Sequence, residues 1–330
     1  MAENGIDRRA LLGGAAVMAA ASAAPVAAQA KLDVAGKSVL ITGCSSGFGK
    51  LTALHLARNG ANVIASMRNT QGGKRKEAQE LADVAAKEKL RLSVVEIDVL
   101  SDALVASGTA AAQKIAGGAL DVLVNNAGIG ISGPVELLDL QATQLIFDTN
   151  LFGYLRVARA VLPAMRAKKA GLVFNVSSQL GRVVIPGVGH YSSTKFGVEA
   201  MFEAMAYELA PFGVEVTIIQ PGGYPTEVWA NGRRLSDAAL ARADTERKAA
   251  YAPHIAMAEK MFGTGGNTDP MDVARAIGEI IAMPAGSRPL RRPVHPNTKA
   301  TEALNAAHAQ VQAMALGNGP FAPWFKAVTD

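Results

Sequence analysis

Short apolar runs alternate with amphipathic stretches along most of the chain. The runs are Ser38–Thr42, Asn62–Ser66, Leu92–Ile97, Leu120–Val124, Leu172–Val176 and Val214–Ile219. Each holds five or six residues, mostly apolar and without strict alternation, as parallel strands covered on both faces require. Between them the spacing predicts helices over Lys50–Asn59, Lys74–Lys89, Leu140–Lys168 (with Pro163 near its end) and Thr194–Ala210. Strand then helix, repeated, implies right-handed crossovers and an α/β, doubly wound, mostly parallel sheet with helices on both faces. Six strands are the minimum. No repeat or long linker interrupts residues 31–330, so one domain is expected, with a less regular tail from Tyr224 to Asp330.

The first 30 residues do not fit this pattern. Arg8-Arg9 is followed by an Ala-rich apolar stretch to about Ala24, and Ala28-Gln29-Ala30 precedes Lys31. This order of charge, apolar run and small-residue site resembles a twin-arginine export signal, although Asp7 stands where such signals usually have Ser or Thr. The run falls below the ~20 apolar residues that span a bilayer. Cleavage after Ala30 and a periplasmic location are therefore expected, with a cytoplasmic one if the leader does not function.

Composition narrows the function classes. Of 330 residues, 49% are hydrophobic and 18% charged, and the mean hydropathy of +0.17 excludes a disordered chain. The lone Cys44 forbids an internal disulfide, and with five scattered histidines no zinc-finger set exists, so no metal is expected. The net charge of +5 is distributed in short groups such as Arg233-Arg234 and Arg291-Arg292. A nucleic-acid partner wants a concentrated basic face; a solvated surface is the simpler reading.

The first run ends in Thr42-Gly43-Cys44-Ser45-Ser46-Gly47-Phe48-Gly49, and a helix follows at once. A strand, a Gly-rich turn and a helix N-terminus put free N–H groups and the positive helix end where a pyrophosphate can sit. Further on, Asn125-Asn126-Ala127-Gly128 follows the fourth run, Tyr191 and Lys195 stand four apart, Ser178 precedes Tyr191 by thirteen, and Pro221-Gly222 is followed by Thr226. Tyrosine and lysine four apart on a helix share one face. An ammonium beside a phenol of ordinary pKa about 10 favours the phenolate, so Tyr191 could act as general acid or base.

With these motifs in this order, residues 36–295 resemble the short-chain dehydrogenase/reductase family, which has a Rossmann-type fold. The resemblance implies an NAD(P)-dependent oxidoreductase interconverting a secondary alcohol and a carbonyl compound by hydride transfer. It implies catalytic roles for Ser178 (holding the substrate oxygen), Tyr191 (exchanging the proton), Lys195 (also reaching the nicotinamide ribose) and Asn150 (holding a relay water). Cofactor contacts are implied for Gly43, Ser45, Ser46, Gly47, Phe48, Gly49, Arg68, Asp98, Val99, Asn125, Ala127, Gly128, Tyr191, Lys195, Pro221, Gly222 and Thr226. Asp98 could instead cap a helix.

Met67-Arg68 ends the second run without the carboxylate that grips the 2′-hydroxyl of NAD, and Arg68 with Lys74–Lys76 suits the phosphate of NADP. NADP is favoured; Ser46, where some NADP-preferring members have a basic residue, keeps NAD possible. His190 could touch substrate or merely start a helix. Residues 224–262, with Val228, Trp229, Tyr251, Met257, Met261 and Phe262, are expected to close over a small-molecule, apolar substrate. A homo-oligomer is possible. The rival reading is a non-catalytic nucleotide-binding or scaffold protein of the same fold, which would have no need of the Ser, Tyr, Lys and Asn set.

Overall fold

The computed structural model describes residues 32–70, 75–261 and 266–328. The export leader, its cleavage site, Lys74 and Phe262 lie outside the described residues, as do the side chains of Lys260 and Met261. Residues from Leu32 onward form one compact unit. Its centre is a seven-stranded parallel sheet in the order β3-β2-β1-β4-β5-β6-β7. The strands are β1 (Ser38–Ile41), β2 (Asn62–Met67), β3 (Leu92–Glu96), β4 (Val122–Asn125), β5 (Gly171–Val176), β6 (Val214–Pro221) and β7 (Arg291–Val294). The first six are the six apolar runs, shifted by at most two residues at an end.

Helices α1 (Gly47–Arg58), α2 (Lys76–Glu88) and α10 (Met271–Ala282) pack with one face of the sheet; α3 (Asp102–Ala116), α5 (Gly153–Lys168) and α6 (Gly189–Leu209) cover the other. Consecutive strand residues feed opposite clusters: Val39 and Ile41 one, Leu40 the other. This is why the runs are apolar throughout. α10 shows the amphipathic logic, burying Val273, Ile277, Ile280 and Ile281 at 0–2% exposure, each worth about 1.5–3 kcal/mol relative to an exposed position.

Three expectations are corrected. The stretch from Leu140 is not one helix: α4 (Leu140–Phe147) and α5 are joined by one turn of π-helix at Asp148–Phe152. Its widened winding surrounds Asn150, and Pro163 is accommodated inside α5. α6 begins at Gly189, five residues before the expected Thr194, so Tyr191 lies in its first turn. Helix initiation there was hidden because Val188 offers no side-chain cap.

The tail is also ordered, through α7 (Val228–Ala241), α8 (Thr245–Ala250), α9 (Ala252–Met261), α10, β7, α11 (Lys299–Leu316) and α12 (Ala322–Lys326). β7 carries Pro293, which a sheet edge tolerates because one side of the strand has no partner to bond. No described helix is long and apolar enough to cross a membrane.

Candidate active site

Strand order reverses between β1 and β4, which opens a crevice at their carboxyl ends, where ligands bind in doubly wound sheets. The 42–49 loop forms one wall. Thr42 locks it: its Oγ1 accepts the amides of Asn126 and Ala127 at 2.9 and 3.0 Å. Gly43 has φ +73, and a Cβ there would lie 2.7 Å from Ala127 Cα. At Gly49 a Cβ would lie 2.4 Å from the Gly43 carbonyl oxygen, so both positions exclude a side chain.

The N-terminus of α1 has no side-chain cap from Ser46 and no acidic residue in its first turn. Its positive end is therefore left for an anion, with Ser45, Ser46, Gly47 and Phe48 half-exposed around it. This cradle fits a dinucleotide pyrophosphate. Thr226 stands opposite, its Cβ 3.5 Å from where a Gly47 Cβ would be. Phe48 props the loop against Tyr224 edge-to-face at 5.5 Å.

Cys44 is fully buried, with its thiol bonded to the Ile41 carbonyl and pushed up to about 12 by burial. It is an inert packing residue.

Arg68, Asp98 and Val99 stand beyond the carboxyl ends of β2 and β3. Arg68 is exposed beyond β2, and Arg75, just before α2, reaches back to donate to its carbonyl at 2.9 Å. Arg75 also pairs with Glu77 at 3.3 Å. Asp98 accepts the Leu100 amide, and the cap of α3 is Ser101, so the helix-capping alternative for Asp98 falls away. Val99 is buried, and its carbonyl accepts from Arg156 at 3.0 Å.

Asn125 departs from its expected place. Its side chain turns into the sheet, donating to Asn175 Oδ1 at 3.0 Å, because it ends β4 on the inward side. Asn126 is the residue that reaches the loop, donating to the Thr42 and Gly43 carbonyls at 2.8 and 3.2 Å. Asn126 and Thr42 were the overlooked members, and the doubled Asn in the motif was their signal. Ala127 and Gly128 continue this wall, Gly128 lying against Asn150.

Beyond β5 and β6 the structure brings Ser178, Tyr191 and Lys195 together. Ser178 Oγ accepts the Leu180 amide at 3.1 Å and lies 3.4 Å from the Pro221 carbonyl oxygen. Next to it, Gly222 is closed in by His295, 2.5 Å from where its Cβ would be. Lys195 is 4% exposed. Its Nζ donates to the Val176 carbonyl at 2.8 Å and lies 5.7 and 5.2 Å from the ring centres of Tyr191 and Tyr154.

Burial drives the Lys195 ammonium down to about 7, opposed by the Glu199 carboxylate. Burial raises Tyr191 above the ordinary phenol range, opposed by a hydrogen bond with Ser178. The expectation that an ammonium favours the Tyr191 phenolate meets a larger opposing influence here, burial of the phenol.

Asn150 is fully buried, its amide clamping the Ile129 main chain at 2.8 and 2.9 Å and donating to Thr194 at 3.2 Å. Both of its amide hydrogens are engaged, while its amide oxygen accepts one bond, from Ile129. His190 is half-buried, and burial lowers its pKa.

The 224–262 segment divides. Tyr224 belongs to the core, at 2% exposure, while α7 and the helices after it lie over the loop that follows β4. Ser236 binds Ser132 at 2.8 Å, Arg242 grips Asp139 through both carboxylate oxygens at 2.6 and 3.1 Å, and Tyr251 donates to Glu136 at 2.8 Å. Asp139 also caps α4 through Ala142.

This fold and constellation define a Rossmann-type oxidoreductase, and comparison with known proteins specifies the family. The short chain dehydrogenase family matches residues 37–235, and the chain belongs to it. It is 36% identical over 265 residues to retinol dehydrogenase 8 of Bos taurus, covering 78% of this chain and 81% of that one. It is 37% identical over 199 residues to a 3-ketodihydrosphingosine reductase of Bacteroides thetaiotaomicron, covering 60% and 68%. A short chain dehydrogenase/reductase of Burkholderia phymatum solved with NAD aligns at TM-score 0.69 and 25% identity, covering 84% of this chain and 96% of that one.

Proposed function

We propose that the protein is an NADP-preferring oxidoreductase that interconverts a secondary alcohol and a carbonyl compound of apolar character. The observation that carries this reading is the meeting of Ser178, Tyr191 and buried Lys195 beside a capless helix end and a loop built for close approach. A nicotinamide dinucleotide, held by the 42–49 loop and Lys195, would supply or accept the hydride. Tyr191 exchanges the proton at the substrate oxygen, and Ser178 hydrogen-bonds that oxygen. Lys195 keeps a positive charge at the ring of Tyr191 and is the group placed to hold the nicotinamide ribose. The Asn150 amide, by clamping Ile129, fixes the wall opposite them. A scaffold would need none of this buried ionisable geometry, which must be maintained against the cost of desolvating a lysine.

An apolar substrate is supported by the exposed Val135, Val184 and Met257, at 63–67% exposure. Val135 abuts the start of α6 and Val184 lies on the connection between Ser178 and Tyr191. Two relatives are named for retinol and 3-ketodihydrosphingosine, both carrying long apolar chains. The decisive assay follows nicotinamide absorbance with a panel of alcohols and ketones of increasing chain length. Turnover rising with apolar length is expected; no turnover with any member would favour the scaffold reading.

NADP preference rests on the exposed Arg68, seconded by Arg75 at the start of α2. Arg68→Asp replaces a cation by an anion where the 2′-phosphate would lie, and charge-assisted bonds of this kind are worth about 1.5–3 kcal/mol. The kcat/KM ratio for NADP over NAD should fall at least about tenfold. An unchanged ratio would make Arg68 a solvated strand-end residue.

A further inference from the structure

Helix α11 is built inside out. Its inward side is polar: Thr301 is 2% exposed, Asn305 donates to the Gln220 carbonyl oxygen at 2.7 Å, and His308 and Gln312 meet Glu203 at 2.8 and 3.1 Å. The demand comes from the core. Glu199 and Glu203 of α6 are both buried and share the guanidinium of Arg291 of β7, and buried carboxylates persist only when hydrogen bonds complete such pairing. Gln220 of β6 serves Glu199 at 2.9 Å, and α11 serves Glu203 and Gln220.

With these polar residues turned inward, the apolar ones face out. Ala300, Leu304, Ala307, Val311 and Met314 are all exposed, the last two at 57% and 76%. Their spacing is four, three, four, three, the repeat by which one helix receives another along a seam, here about 21 Å long at 1.5 Å per residue. Two heptads are too few for a free-standing coiled coil, but α11 is already ordered by its inward bonds. Beyond it the exposed Phe321 and Trp324, with ring centres 5.7 Å apart, prolong the apolar surface.

Charge decides what fits this seam. From Ala303 to Phe325 the sequence holds no Asp, Glu, Lys or Arg, and the positions flanking the seam are Thr301, Ala303, His308, Gln310 and Ala315. Helices of a different protein are selected by charges at such flanking positions, and a membrane surface by Lys and Arg beside the apolar stripe. This stretch of α11 offers neither. Across a two-fold axis each group meets its own kind, so an uncharged, apolar stripe suits a second copy of the same chain.

Packing sets the direction. In a parallel pair Leu304 would face Leu304 and Ala307 would face Ala307, leaving the alanine layers underfilled. In an antiparallel pair Ala300 faces Val311 of the second copy and Leu304 faces its Ala307, a small residue against a large one in each layer, with the two helix dipoles opposed.

We propose that α11 is the contact through which two copies of this chain associate, its 300–314 seam packing antiparallel on the same seam of the second copy. The interface is small, so the dimer dissociates on dilution.

The test is analytical sedimentation of the full chain at rising protein concentration, with Val311→Glu beside the parent. The parent should pass from monomer to twice that mass, and Val311→Glu should stay monomeric over the same range, because two carboxylates would then enter one apolar seam. Val311 faces solvent, so the core is untouched; Met314→Glu, at a still more exposed position, should act alike and serves if the first variant does not fold. Direction is read by combining Ala300→Cys with Val311→Cys and adding oxidised glutathione. Cys44 is fully buried, and the two introduced thiols lie about 16 Å apart along their own helix, too far to bond each other. A covalent dimer therefore reports the antiparallel pair, and Ala300→Cys alone should give none.

A parent that stays monomeric at every concentration overturns the proposal. So does a dimer that Val311→Glu and Met314→Glu leave intact; if Phe196→Glu, at an exposed phenylalanine of α6, dissociates that dimer, the second copy sits on the α6 face instead. A monomer that sediments with phosphatidylcholine vesicles and is released by Val311→Glu assigns the seam to a membrane and overturns the proposal equally. Covalent dimer from Ala300→Cys alone refutes the antiparallel arrangement.

Discussion

Tyr191→Phe should bind cofactor as the parent does and lose at least ~10²-fold in turnover. The change keeps the ring that stands 5.7 Å from the Lys195 ammonium and removes only the hydroxyl. Burial holds that hydroxyl above the ordinary phenol range, so the protein must supply compensating groups if phenolate is to form near neutral pH. Ser178 and Lys195 are the two at hand. Steady-state turnover together with cofactor titration by fluorescence separates the two effects. Retained turnover would show that the proton moves through another group, with His190, half-buried one residue away, the first to examine.

Lys195→Met should cost activity on a similar scale and make the protein more stable. Lys195 is depressed from 10.5 to about 7. Between those values the unfolded chain binds more protons at this residue than the folded one, so stability rises with pH across that window. Below about 7 the full penalty applies, on the order of 5 kcal/mol. Methionine removes the penalty with little change of volume. The Val176 carbonyl is not orphaned, because it also accepts from the Tyr154 hydroxyl at 3.1 Å. Thermal unfolding from pH 6 to 9 should show the variant's advantage shrinking as pH rises. A variant less stable at pH 6 would mean that the hydrogen bond and ring contacts of Lys195 outweigh its desolvation.

Much of the fold was legible because parallel strands buried on both faces give apolar runs that few other elements mimic. Where runs were bounded by Gly-rich turns, as at Thr42–Gly49, even the loop that walls the crevice could be named. The failures have physical causes. β7 contains Arg291, Arg292 and Pro293, a composition no strand pattern anticipates; only its edge position and its partnership with Glu199 and Glu203 make it a strand. The early start of α6 and the π-turn at Asn150 depend on tertiary contacts with Ile129 and Thr194. The buried network of Glu199, Glu203, Gln220 and Arg291 was invisible for the same reason, since it joins residues up to about a hundred positions apart.

Asp139 performs two tasks at once. The carboxylate that ends the loop after β4 and initiates α4 is also the anchor for Arg242, the residue that follows α7. Arg242 therefore ties the end of α7 to the N-terminus of α4, and its loss would take a cationic partner from the carboxylate that caps that helix. The Ala142 amide, bonded to Asp139 at 2.8 Å, is a local reporter of this tie: its hydrogen exchange should quicken when Arg242 is replaced or when salt screens the pair.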